Sequence, residues 1–334
     1  MSLNRRIDSG LLKPNITGIS RTRRRILQAA LWFVTWWSGL LYRANSNARN
    51  IQFRQEKIPW LPPQELQWMK ILFLTDPHIG GNIDNIADEV GRKTHSLLEG
   101  HDPKKIIILH GWDFVSRRPQ ETSLTAVYKN SPLLYGRLAG YENHFWVRGN
   151  HDIDHSQSWE IIDHFSREHN IDFLTSPYQK RSVKIGDAEI AVFGLDTGAA
   201  ILHTMDPRTR DTLLDAYIEK LNTGKQSRNI VLMHSPDGFE FLLRRLKETQ
   251  TKITIPTIMF AGHTHGGMIN FPWLVEFALS RIHVLFWRYA WWYRPEEKYA
   301  NTGDLLLYVG NGMGNSPEHD YRLWADPEVI EFFL

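Results

Sequence analysis

Eight short apolar runs set the frame for what this chain can fold into: residues 70–75 (KILFLT), 105–110 (KIIILH), 144–148, 189–194, 229–234 (NIVLMH), 257–261, 305–309 and 329–333. Each is too short for an ordinary helix, and each ends at polar or turn-forming residues. Runs this apolar bury both faces, which predicts interior strands rather than half-solvated ones. The longer amphipathic stretches between them predict helices over 85–99, 159–169, 212–221 and 239–249. Strands alternating with helices in this way predict an α/β domain over 70–334.

The polar residues that follow these runs carry the chemistry. Asp76 and His78 follow the first run, Asp113 the second, and Asn150, His151 and Asp152 the third; His234 ends the fifth, and His263 and His265 follow the sixth. Open α/β sheets gather their sites beyond the carboxyl ends of the strands, so five separate segments are expected to meet in one cleft. The chain has no cysteine, so a metal there would be held by His, Asp, Asn or Glu. Asp76, His78, Asp113, Asn150, His234, His263 and His265 offer more ligands than one ion takes, and with one carboxylate bridging they suit two divalent ions. Two such ions clamp a phosphoryl group and lower the pKa of a bridging water toward about 7. His151 remains beside them to protonate a leaving oxygen, with Asp152 to orient its ring. Taken singly, Asp76-Pro77-His78 reads as a turn and His234 as a satisfied core histidine. The order of all five, each directly after an apolar run, departs from those plainer readings.

In that order, D-x-H, G-D, G-N-H-D, a lone H and G-H-x-H, the chain resembles the calcineurin-like metallophosphoesterase superfamily. The resemblance spans about 70–334 of the sequence. It implies a four-layer α/β/β/α sandwich, with Asp76, His78 and His265 on one metal, Asn150, His234 and His263 on the other, Asp113 bridging, and His151 as general acid. Manganese, zinc, iron and cobalt all suit such ligands. The second motif departs from the pattern, with Trp112 between Gly111 and Asp113, and the first carries Pro77.

Ahead of the domain, residues 1–25 hold Arg5, Arg6, Lys13, Arg21, Arg23, Arg24 and Arg25, and 26–42 form one uncharged apolar run. As a helix that run reaches about 25 Å, against about 30 Å of hydrocarbon, and Trp36, Trp37 and Tyr42 suit an interface. It is expected to be a transmembrane or signal-anchor helix at the inner (cytoplasmic) membrane, single-pass or peripheral. A buried core helix and a cleaved twin-arginine signal are the other readings. Residues 43–69, with Pro59, Pro62 and Pro63, are expected to be a tether.

Lys plus Arg (39) nearly balances Asp plus Glu (37), for a net charge of +2, which argues against nucleic acid as a partner. The segment 271–299 mixes aromatic and arginine residues, among them Trp273, Arg281, Arg288, Trp291 and Trp292. That mixture suits contact with a bilayer or a lipid-linked phosphate substrate, although a core helix or a stacking surface would share the composition. Together with the tail 308–314 (YVGNGMG), these features are similar to membrane-anchored members of the superfamily. The resemblance implies a UDP-2,3-diacylglucosamine pyrophosphatase of lipid A synthesis, with an exported phosphodiesterase or phosphatase acting on envelope phosphates, or a degenerate metal-binding scaffold, as alternatives.

Overall fold

The computed structural model describes residues 49–58, 66, 69–111, 113–115, 121–153, 156–174, 179–195, 202, 204–263, 292–293, 303–314 and 326–333, with 28, 30–35, 38, 39, 42, 43 and 46. The chain divides into two compact units, Met1–Tyr42 and Arg43–Leu334.

In the larger unit the described strands are β1 (Gln52–Lys57), β2 (Lys70–Thr75), β3 (Ile106–Gly111), β4 (His144–Val147), β5 (Asp172–Phe173), β6 (Lys180–Ile185), β7 (Ala188–Leu195), β8 (Arg228–Met233), β9 (Ile253–Ala261), β10 (Trp292–Tyr293), β11 (Gly303–Val309) and β12 (Glu328–Phe333). They form two six-stranded sheets, ordered β1-β12-β2-β3-β4-β5 and β10-β11-β9-β8-β7-β6. The described helices are α1 (Ala87–Leu98), α2 (Glu121–Tyr135), α3 (Asn150–Ile153), α4 (Ser156–Glu168), α5 (Pro207–Asn222) and α6 (Asp237–Thr249).

Strand side chains alternate between faces, and here both faces are apolar. Leu72, Leu74, Ile106, Ile108 and Trp146 pack with Val90 of α1, Val127 of α2 and Phe165 of α4. The alternate residues Ile71, Phe73, Ile107 and Leu109 meet Ile190, Ile230, Ile258 and Phe260 of the second sheet. That sheet's other face, with Phe193, Val231, Met259 and Leu307, is covered by Tyr217 of α5 and Phe239 and Leu242 of α6. Three apolar layers therefore separate helix, sheet, sheet and helix, the α/β/β/α order that the family resemblance implies. The polar face of each amphipathic helix stays outward, which is why α6 buries Phe239, Leu242 and Leu246 while Lys247 and Glu248 remain toward solvent.

Neighbours β2, β3 and β4 run parallel, as do β7, β8, β9 and β11. Parallel strands put their carboxyl ends on one side of a sheet, so the segments after β2, β3, β4, β8 and β9 can open on a common edge.

Several elements differ from the sequence expectation. Residues 52–57, inside the expected tether, form β1, which lies parallel to β12 at the sheet edge. The run QFRQEK has only one apolar residue, so its pairing depends on the open edge of β12 and on the Arg54–Glu328 ion pair at 2.9 Å. Helix α2 carries Pro132 and a weak apolar period, and its place is decided by packing: a Cβ on Gly91 of α1 would lie 2.0 Å from the Leu133 carbonyl oxygen. Residues 292–293, within the expected membrane-facing insertion, pair antiparallel with β11 as a sheet edge.

In the smaller unit, residues 30–35 are helical, and Leu31, Trp32, Phe33 and Val34 are between 61% and 77% exposed. Among the described residues no helix is long and apolar enough to cross a membrane. Within the anchor expected over 26–42, residues 26, 27, 29, 36, 37, 40 and 41 fall outside the described residues.

Candidate metal centre

Asp76 leaves β2 with φ 47°, in the left-handed region, although it is not glycine and precedes Pro77. Two bonds fix its carboxylate: the Thr75 hydroxyl (2.7 Å) and the His263 amide (2.9 Å) both donate to Oδ2. Its other oxygen, Oδ1, is buried without a hydrogen-bonding partner among the described residues and lies 3.7 Å from Nδ1 of His234, which is equally buried and unpartnered. Glycine is required behind it, since a Cβ on Gly262 would fall 1.9 Å from Thr75 Oγ1 and 2.5 Å from Asp76 Oδ2.

His78, also left-handed at φ 46° and buried, is held by its amide donating to the Asp113 carbonyl at 3.2 Å. Asp113 is buried beyond the end of β3; its Oδ1 accepts from the His151 amide at 2.8 Å, and Oδ2 lies 3.4 Å from His234 Nε2 and 3.7 Å from His151 Nε2. His234 Nε2 in turn lies 3.0 Å from Asn150 Oδ1 and 2.9 Å from His263 Nδ1. His263 is the third of these residues with positive φ, at 67°. Left-handed backbone at a non-glycine residue costs about 1–3 kcal/mol and survives where surrounding contacts hold it.

Two groups of donor atoms result, His78 with Asp113 and His151, and Asp113 with His234 and His263, the atoms of each group lying within 4.8 Å of one another. Asp113 belongs to both. Burial pushes the Asp76 carboxyl up to about 6, with the Asp113 charge adding and His234 opposing. Burial also holds His234 and His263 down to about 4. Neutral imidazoles and carboxylates facing one another in a dry cleft are what a cation needs, and an unpartnered carboxylate oxygen such as Asp76 Oδ1 is otherwise costly to bury. The residues present therefore fit divalent ions.

Asp152, expected beside the His151 ring, accepts three backbone bonds. Its Oδ1 accepts from the amides of Phe114 (2.9 Å) and Val115 (3.3 Å), and Oδ2 accepts from the Gly149 amide (3.0 Å). Both oxygens thus accept from backbone, because a fully buried carboxylate must collect donors and the loop amides are donors at hand. The Asp113 carboxylate lies 3.7 Å from His151 Nε2. Burial, reinforced by Asp113, raises the Asp152 carboxyl well above the ordinary range.

The structure thus brings Asp76, His78, Asp113, Asn150, His151, His234 and His263 to one place. Trp112, His265, Trp273, Arg281, Arg288 and Trp291 lie outside the described residues, as does the side chain of Trp292. Thr75 was missed in the sequence; a strand-ending hydroxyl beside an acidic residue was its only mark. No curated protein matches the sequence. The family model of the calcineurin-like phosphoesterases matches residues 69–267, well over half of the chain and the whole stretch from β2 to His265. With its motifs gathered at one sheet edge and its sequence matched over that span, the chain belongs to the calcineurin-like phosphoesterase family and is a metallophosphoesterase hydrolase.

Proposed function

We propose that the protein is a dinuclear metallophosphoesterase that hydrolyses a phosphoanhydride or phosphodiester bond in an amphiphilic substrate at the membrane. The observation that carries this reading is the membership of Asp113 in both donor groups, as a carboxylate bridging two ions requires. Asp76, His78 and His265 would hold one ion, Asn150, His234 and His263 the other. Divalent ions bound there supply charge neutralisation for the phosphoryl group and acidify water. The protein's own part is positional and protic. Asp76 and Asp113 are fixed by backbone donors before any ligand arrives, so little reorganisation remains. His151 Nε2, 3.7 Å from Asp113 Oδ2, carries the proton delivered to the leaving oxygen.

UDP-2,3-diacylglucosamine is the substrate proposed first, because the arginine-flanked apolar run and the aromatic, arginine-rich segment 271–299 suit a lipid-linked pyrophosphate. An exported phosphodiesterase is the second reading, favoured by Arg23-Arg24 ahead of the apolar run. A screen of nucleotide-linked lipids and headgroup diesters with added Mn²⁺ tests both. Turnover of a nucleotide-linked lipid, abolished by Asp113→Ala and by chelator, is the expected result. Activity that survives excess chelator, or persists in Asp113→Ala, defeats the dinuclear reading.

A further inference from the structure

Beyond β11 the chain crosses from the second sheet to the first through Gly310, Asn311, Gly312, Met313 and Gly314 before reaching β12. This strap lies outside the span matched by the family, yet it touches the metal centre from behind. The Gly310 amide donates to the carbonyl of Ala261, at the end of the strand that leads to His263, at 2.8 Å. The Met313 amide donates to the Thr75 carbonyl and the Gly314 amide to the Asp76 carbonyl, each at 2.8 Å. The strap's other side is anchored: Glu328, 2% exposed, accepts from the Asn311 amide at 3.1 Å, and its own amide donates to the Gly312 carbonyl at 3.0 Å. Arg54 and the Tyr308 hydroxyl hold the same carboxylate.

The glycines are sterically required. A Cβ on Gly314 would lie 1.8 Å from the Pro77 carbonyl oxygen, and one on Gly310 would lie 2.8 Å from the Phe73 ring and 2.9 Å from Thr75 Cγ2. Gly312, at φ +76°, supplies the left-handed bend between them. Without a Cβ the strap can lie flat on the Thr75-Asp76-Pro77 turn.

We propose that the strap 310–314 is a positioning element of the metal centre: it clamps the left-handed turn at Asp76 and ties the ends of β2 and β9 together, fixing Asp76 relative to His263. A left-handed residue ahead of proline persists only under outside constraint. Two strap amides, on the carbonyls of Thr75 and Asp76, provide it. The proposal rests on the reading of Asp76 as a metal ligand. Gly314 and Gly310 act through Asp76, not on the substrate.

Calorimetric Mn²⁺ titration of the full chain tests this with Gly314→Ala and the milder Gly310→Ala, whose added methyl meets side-chain rather than backbone atoms. The expected result in each is native far-UV circular dichroism with one Mn²⁺ site weakened about 10–100-fold, the range for loss of a residue that orients a ligand. Turnover should recover as Mn²⁺ is raised, which a general loss of folding would not allow. Variants that melt earlier yet bind Mn²⁺ as tightly as wild type overturn the proposal. A wild-type chain that binds no Mn²⁺ removes the metal-centre reading, and the strap's role with it; tight binding by wild type and by both variants removes only the strap's.

Discussion

Within the metal centre, hydrogen bonds to backbone decide more than contacts between side chains. Asp152 stitches the loop that carries Asp113 to the turn that carries Asn150, through the amides of Phe114, Val115 and Gly149. Asp152→Asn keeps the shape but turns an amide donor toward a backbone donor, an unsatisfied contact worth about 1–3 kcal/mol. The expected outcome is a chemical-denaturation midpoint lowered accordingly and Mn²⁺ affinity reduced about 10–100-fold. Should the variant instead bind Mn²⁺ normally while the acid limb of its pH–rate profile moves, Asp152 would belong to the His151 ring after all. The residue types at the site were legible in the sequence, because Asp, His and Asn placed after apolar runs have few other uses together. The partner of each oxygen was not, since amides are the same at every position and only folding brings particular ones within reach.

Between elements, the least expected feature is a buried histidine pair between sheet and helices. His110 of β3 and His144 of β4 stack with ring centroids 4.6 Å apart and their Nε2 atoms in contact. Tyr135 of α2 and Trp146 of β4 pack around His110, and His169 beyond α4 neighbours His144. One neutral ring must donate and the other accept. Burial, with His169 adding, lowers His144 to about 3, and burial with His144 lowers His110 well below its ordinary value. Both folded values lie under the unfolded value of about 6.5, so the unfolded chain binds more protons as the pH drops. Stability is therefore fully present above about pH 6.5 and falls as the solution is acidified, by about 1.4 kcal/mol per pH unit for each histidine kept neutral. In urea denaturation, His144→Phe should be less stable at neutral pH, since it breaks the pair, yet show an acid slope shallower by about one proton. Parallel slopes for the two proteins would falsify this assignment.

In the molecule as a whole, the smaller unit carries an exposed apolar helical stretch over residues 30–35. Leu31, Trp32, Phe33 and Val34 are each more than 60% exposed, an apolar stretch that water does not favour. If it is the membrane contact proposed above, the full chain should sediment with anionic vesicles, and a paired Trp32→Glu, Phe33→Glu variant should stay in the supernatant while its metal content is unchanged. Equal partitioning of the two would remove the membrane from the reading.

The sequence by itself marked the buried strands β2, β3, β4, β7, β8, β9, β11 and β12, most of the longer amphipathic helices between them, and the candidate ligand-bearing residues. Those follow from local apolar pattern and side-chain chemistry, which depend on near neighbours in the chain. Only the tertiary structure decided that residues 52–57 pair with β12, that Asp152 serves backbone amides, and that a glycine strap near the carboxyl terminus grips the turn at Asp76. Apart from the bond between Asp152 and the nearby Gly149 amide, those contacts join positions far apart in sequence, and each partner is chosen by packing geometry, which no local pattern encodes.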